Sequence, residues 1–157
     1  MRFTLFNIDK TEPCYLSEGI NEFRDRIKNF IDFDIIDLPG IKNTGKFPVK
    51  LYIQKESEII KKAVAKYDFI VLLDEKGTNF DSRGFANWFG KIINQGKKRV
   101  AFITGGAYGF SEDLIEMCDY RISLSKLTFT HQMVRLIFVE QLYRACTILK
   151  GMSYHND

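Results

Sequence analysis

The chain has 157 residues, of which 45% are hydrophobic and 27% charged, and it carries a net charge of +3. That length suits one globular unit with a core of ordinary size, and the balance excludes an intrinsically disordered chain. The small basic excess permits contact with a phosphate backbone without demanding it, and argues against a protein that grips RNA alone over a wide footprint. No apolar run approaches the roughly 20 residues that span a bilayer. The opening MRFTLFNIDK is too short in its apolar part, and carries Asp9, so it does not read as a signal peptide. Cys14, Cys118 and Cys146 are odd in number and widely spaced. This argues against a disulfide framework and a zinc site, suits a reducing cytoplasm, and leaves the three thiols as small buried hydrophobes.

In chain order, residues 2–9 predict a first strand. Residues 17–30 predict a helix, with Ile20, Phe23, Ile27 and Phe30 at helical spacing and Ser17 as its cap. Residues 33–38 (FDIIDL) predict the next strand, closed by Pro39-Gly40, and residues 41–47 read as a loop. Pro48 then opens a long helix to about residue 67, with Lys and Glu on one side and Ile59, Ile60, Ala63 and Val64 on the other. Residues 69–73 (FIVLL), ending at Asp74, read as a strand buried on both faces. A helix over 81–94 turns Phe85, Trp88, Phe89 and Ile92 inward and stops at Gly96. A second buried strand over 99–104, a helix over 111–118, a last strand over 120–124 and a final helix over 131–149 complete the chain. This alternation predicts an α/β fold, a parallel sheet flanked by helices, whose ligands bind outside the carboxyl ends of the strands. The strand ends that matter are then Leu73-Asp74, Thr104-Gly105-Gly106 and residues 124–130. No repeat or linker divides the chain, so residues 1–157 read as one domain.

Gly105-Gly106-x-x-Gly109 follows a buried strand and precedes a helix, where exposed amides can meet a ligand. The spacing matches neither a dinucleotide fingerprint nor a P-loop, and it fits a tight strand-to-helix turn equally well. The segment LSKLTFT over 124–130 is either a loop whose Thr130 caps the final helix or a surface that offers backbone groups and apolar Leu127 and Phe129 to a purine. The final helix is apolar around nearly its whole circumference, which calls for burial on all sides and, in so small a domain, for a homodimer. On it, His131 and Arg135 share one face at i,i+4 near the ligand end, and Glu140 and Arg144 are spaced for a structural ion pair. Tyr154-His155 near the end of the chain is either incidental or placed to reach an active site, and the only two histidines then fall near the same site.

Taken together, GGAYG, SLSKLTFTHQMVR, EQLYRA and the final GxxYH resemble the SPOUT-class methyltransferases that modify pseudouridine in the large ribosomal subunit. The resemblance extends more loosely over the whole chain. It implies a SPOUT-type fold with a C-terminal trefoil knot, a rare exception to ordinary chain topology, with the cofactor site within about residues 69–157. It also implies a homodimer in which the partner completes each site, and S-adenosylmethionine (SAM) as methyl donor. The implied reaction is methyl transfer to N3 of a pseudouridine in large-subunit rRNA, on the assembled ribosome and without a metal or a membrane. Carried over by position, SAM contacts fall on Leu73, Gly105, Leu124, Ser125, Lys126, Leu127, Thr128 and Phe129, and the methyl-transfer site on His131, Arg135, Tyr154 and His155. The chain departs from the family at Thr130, where proline is common before the histidine, and around residues 39–52.

Transfer from a sulfonium needs no covalent enzyme intermediate, but the acceptor must be held in line and its N3 proton removed. His155 or His131 is the expected base, Arg135 the expected stabiliser of charge on the acceptor's carbonyl oxygens, and Tyr154 a stacking platform. Competing readings are a SPOUT enzyme acting on tRNA, a non-catalytic ribosome-binding module and, more distantly, a flavodoxin-like oxidoreductase.

Overall fold

A computed structural model describes residues 1–12, 14–42, 44–46 and 48–155, with Thr44 described by its backbone alone. Five strands form one parallel sheet in the order β2-β1-β4-β3-β5: β1 (Arg2–Ile8), β2 (Asp32–Leu38), β3 (Phe69–Asn79), β4 (Arg99–Thr104) and β5 (Tyr120–Ser123). Helices α1 (Cys14–Ile27), α3 (Ser82–Asn94) and α5 (Met133–Leu149) cover one face around Phe3, Phe89, Phe102 and Phe138. Helices α2 (Val49–Val64) and α4 (Glu112–Met117) cover the other, with Ile60, Val64 and Leu114 against Phe6, Leu72 and Ile103. Burial on both faces explains why β4 and the first half of β3 are unbroken apolar runs.

Local signals account for several boundaries. Asp81 caps α3 by accepting from the Gly84 amide at 2.6 Å, and Ser111 caps α4 by accepting from Leu114 at 3.4 Å. Pro48 precedes the first residue of α2, as its missing N–H allows. Other boundaries differ from expectation. Helix α1 begins at Cys14, so Ser17 is no cap; its hydroxyl donates back to the Thr11 carbonyl at 3.1 Å. Of the loop expected over 41–47, Asn43 and Phe47 lie outside the described residues.

Strand β3 does not end at Leu73. Leu73 and Thr78 both register with Ile122 of β5, so the residues between them bulge out of the ladder before pairing resumes at Asn79 and Ser123. Gly77 permits this: a Cβ there would lie 2.6 Å from backbone atoms of Arg121 and Ile122. Helix α2 also departs from a simple two-sided pattern, since Glu56 is buried alongside Tyr52, Ile60 and Val64.

The cysteines are all free, but only Cys146 is the buried hydrophobe expected, because Cys14 is exposed and Cys118 half-buried. Burial pushes the Cys146 thiol up to about 12. A limiting dose of iodoacetamide at mildly alkaline pH should therefore label Cys14 first and spare Cys146 until the protein unfolds. Peptide mapping that finds Cys146 modified in the folded protein would contradict this arrangement.

Candidate active site at the strand ends

The carboxyl ends of β3, β4 and β5 open onto a pocket of about 570 Å³, within the range of small-molecule and cofactor sites. One wall is the turn of residues 105–109, in which the Gly109 amide donates to the Gly106 carbonyl at 3.3 Å. The facing wall is the segment between β5 and α5, contributing Leu124, Ser125, Leu127, Thr128, Phe129 and Thr130. The β3 bulge adds Leu73, Asp74, Glu75 and Lys76, and the start of α5 adds His131 and Val134.

The 124–130 segment is held by its own short side chains. Ser123 Oγ donates to the Ser125 carbonyl at 2.9 Å, Ser125 Oγ accepts from the Leu127 amide at 2.9 Å, and Asn79 Nδ2 donates to the Ser123 carbonyl at 3.1 Å. Thr130 accepts the Met133 amide on its hydroxyl at 3.2 Å and the Val134 amide on its carbonyl at 3.1 Å. Thus Thr130 opens the final helix, as the capping reading has it, and also borders the pocket. Asp74 is tied to Arg121 across the strand ends at 3.2 Å.

Seven of the eight residues expected to contact the cofactor line this pocket: Leu73, Gly105, Leu124, Ser125, Leu127, Thr128 and Phe129. Lys126 is exposed and outside the lining. His131 is at the pocket, where burial first and then the Arg135 charge hold its imidazole below the ordinary histidine value, against a smaller opposing pull from Asp9.

The other residues expected at the reaction centre lie elsewhere. Arg135 is fully buried, and its guanidinium donates to the carbonyls of Ile8 at 2.5 Å and Asp9 at 3.1 Å and to Thr11 Oγ1 at 3.0 Å. It is buried against the end of β1, with its Nε left without a partner among the described residues, and it does not line the pocket. Gln132 ties the same segment, donating to the Lys10 carbonyl and accepting from the Glu12 amide, each at 3.2 Å. The expectation that both histidines gather at one site also fails within a single chain. Tyr154 donates to Glu140 Oε1 at 3.1 Å, packs edge-on against Tyr143 and lies under the Arg144 guanidinium; His155 Nδ1 is 3.4 Å from Arg144 Nη1. The Glu140–Arg144 pair, 2.5 Å apart, thus holds the tail 9 to 13 residues beyond His131, roughly 14–20 Å at the helical rise of 1.5 Å per residue.

Sequence reasoning missed Glu75, Lys76, Tyr108, Phe110 and Val134 as pocket residues. Polar Glu75 and Lys76 gave no signal of their own, because only the bulge brings them there. Among the described residues no group of three or more His, Cys, Asp or Glu is arranged to hold a metal, and no helix is long and apolar enough to cross a membrane.

A parallel sheet with a ligand-sized pocket at its strand ends, walled by a glycine turn and a polar-apolar loop, is the arrangement in which α/β proteins hold small molecules. Comparison with known proteins narrows this. The family described as predicted SPOUT methyltransferase matches residues 1–155. The chain is 45% identical over 157 residues to a protein of Phocaeicola vulgatus named ribosomal RNA large subunit methyltransferase H, covering 100% of both. Among solved structures it resembles a probable methyltransferase from Bordetella pertussis (TM-score 0.56, 14% identity, 92% of this chain and 96% of that one). It also resembles a tRNA (m1G37) methyltransferase from Aquifex aeolicus (TM-score 0.53, 15% identity, 99% and 74%). At such identities the structural likeness speaks for the fold. The chain belongs to the SPOUT methyltransferase family.

Proposed function

We propose that this protein methylates large-subunit rRNA from SAM, at N3 of a pseudouridine, acting in the cytoplasm on the assembled ribosome as a homodimer. The relative of the same length is named for the large-subunit RNA reaction. The observation that carries the cofactor assignment is that the glycine turn and the 124–130 segment, remote in sequence, face each other across one pocket. Backbone groups at Gly105, Leu124 and Leu127 suit the polar edge of a purine, while Leu73, Leu127 and Phe129 give apolar contact, so the residues fit SAM in type and in space. We place the C-terminal trefoil knot in the same segment, and treat residues 1–157 as one catalytic unit.

Bound SAM supplies an activated methyl group. The chain's own task is to orient the acceptor, exclude water and take up the N3 proton. His131 is the base at the pocket, and its depressed pKa keeps the imidazole neutral and able to accept a proton at neutral pH. Tyr154 and His155 lie far from the pocket of their own chain, so they serve the pocket of the second subunit. The exposed Leu149 and Met152 at that end of α5 favour such pairing.

Purified protein with methyl-labelled SAM should label large-subunit rRNA in intact ribosomes, and neither free large subunits nor tRNA. Label in tRNA overturns the substrate; SAM binding with no label anywhere makes the protein a binding module. His131 also predicts a pH dependence. Wild-type turnover falls on the acid side only below the ordinary histidine value of about 6.5, and His131→Gln lowers the rate and removes that limb. An unchanged acid limb in the variant would shift the base role to His155. Because the folded-state value lies below the unfolded one, protonation of His131 also favours unfolding, and its stabilising share is lost as pH falls below about 6.5.

A further inference from the structure

Behind the pocket wall stands an acid that none of the above uses. Glu56 on α2 is 2% exposed, and neither carboxyl oxygen meets a hydrogen-bond donor at good geometry among the described residues. Its neighbour one turn back, Tyr52, is also buried and packs edge-on against Tyr108 of the glycine turn at 5.2 Å. Burial pushes the Glu56 carboxyl above the usual range, with the nearby Tyr52 phenol pulling the other way, so the neutral form is favoured. An apolar side chain of similar size would fill this place without the cost of burying a carboxyl. Four-residue spacing with Tyr52, Ile60 and Val64 puts Glu56 on the buried face by geometry alone, so its chemistry needs a reason.

That reason faces it. A Cβ at Gly106 would lie 2.5 and 2.6 Å from the two Glu56 oxygens, inside any tolerable contact. Glu56 therefore touches the turn on the side toward which a Gly106 side chain would project, while Gly105, Gly106 and Tyr108 border the pocket and Glu56 does not. Enclosed as it is, the carboxyl has little room to yield.

We propose that Glu56 is a positioning residue for the cofactor, its buried carboxyl seating the 105–109 turn at Gly106 so that the turn's backbone forms the pocket wall. This rests on the reading of the pocket as the SAM site. A neutral carboxyl offers one donor and free acceptor lone pairs, so a small shift of the turn on loading lets it bond to the peptide groups flanking Gly106. An apolar side chain can only fill the space. Among the described residues the acid draws only on the nearby Tyr52 phenol in this structure, and a bond to the turn would form on loading, which separates its effect on folding from its effect on binding.

The test measures SAM dissociation constants by calorimetry and melting of the ligand-free protein for Glu56→Leu, Glu56→Gln, Gly106→Ala and the double variant Gly106→Ala with Glu56→Ala. Glu56→Leu should melt at or above the wild-type temperature yet bind SAM roughly tenfold more weakly, whereas Glu56→Gln stays within about threefold. Gly106→Ala should lose roughly tenfold as well, and the double variant should bind more tightly than Gly106→Ala alone, because the added methyl then occupies vacated space. Wild-type affinity in Glu56→Leu, or losses in the double variant that simply add, would overturn the proposal. If Glu56→Leu does not fold, the Gly106 pair decides by itself. A wild-type protein that binds no SAM defeats instead the assignment of the pocket.

Discussion

Replacing Arg135 with methionine should destabilise the protein by about 3–5 kcal/mol, the range expected when a buried, hydrogen-bonded charge is removed and its partners are left behind. The guanidinium is fully buried and serves two backbone carbonyls and one hydroxyl. Asp9, one of those acceptors, sits in the left-handed region at φ 66°, a conformation a non-glycine residue holds only when its surroundings impose it. Losing the arginine strands the carbonyls of Ile8 and Asp9 and frees that turn to relax. For a domain of this size the loss corresponds to a drop in melting temperature on the order of 10 °C. Thermal or urea melts of Arg135→Met and Arg135→Lys measure it directly. Lysine keeps the charge but not the planar fork that reaches several acceptors at once, so it should recover only part of the loss. A lysine variant that melts like the wild type but transfers no methyl would instead put Arg135 at the reacting base. Stability also bears on the site, because Arg135 and Gln132 together dock the start of α5, and hence His131, onto the segment that follows β1.

Deleting residues 154–157 should reduce methyl transfer by roughly 10- to 10²-fold, as expected from losing about 1–3 kcal/mol of Tyr154 stacking on the acceptor base, while SAM affinity changes by less than roughly threefold. Tyr154 and His155 dock on Glu140, Tyr143 and Arg144, and neither lines the pocket. A second experiment asks which subunit they serve. Tail-deleted chains mixed with His131→Gln chains form mixed dimers in which only one site unites an intact His131 with an intact tail, and only if the tail works across the interface. Recovery toward about a quarter of wild-type turnover is then expected, since half the dimers are mixed and each has one competent site of two. No recovery, with subunit exchange verified by mass spectrometry, would place the tail's action within its own chain. Full activity in the deleted protein would remove the tail from the reaction.

Much of the architecture was legible in the sequence because it depends on local pattern. The unbroken apolar run of Val100–Ile103 reads as a strand covered on both faces, and Phe85, Trp88, Phe89 and Ile92 at helical spacing read as a helix with one inward stripe, in which Ala86 proves buried and Trp88 only half-buried. The turn at Gly105-Gly106 and the segment at 124–130 could be singled out for the same reason, as irregular stretches directly after buried strands. Their resemblance to a family's motifs joins them into one expected site.

What the pattern left open were the destinations of polar side chains, since those are decided by partners far away along the chain. Residues 74–79 look like a polar loop after β3, and only β5, more than 40 residues later, gives Thr78 and Asn79 a ladder to rejoin. Arg135 looks like a ligand residue beside His131, yet it turns inward because the end of β1 supplies acceptors that make its burial tolerable. Glu56 sits in a lysine-rich helix among residues expected on its polar side, yet it shares the i,i+4 row of Tyr52, Ile60 and Val64, and the packing of α2 against the glycine turn encloses it. Tyr154 and His155 read as neighbours of the pocket, whereas the Glu140–Arg144 pair anchors them at the other end of α5. By itself, then, the sequence determined the order of strands and helices and the family, and it pointed to the carboxyl ends of the strands as the place for a site. Tertiary structure alone decided which charged groups are buried and which reach the pocket, because burying a polar group is costly unless a partner is already in place, and those partners come together only when distant segments pack.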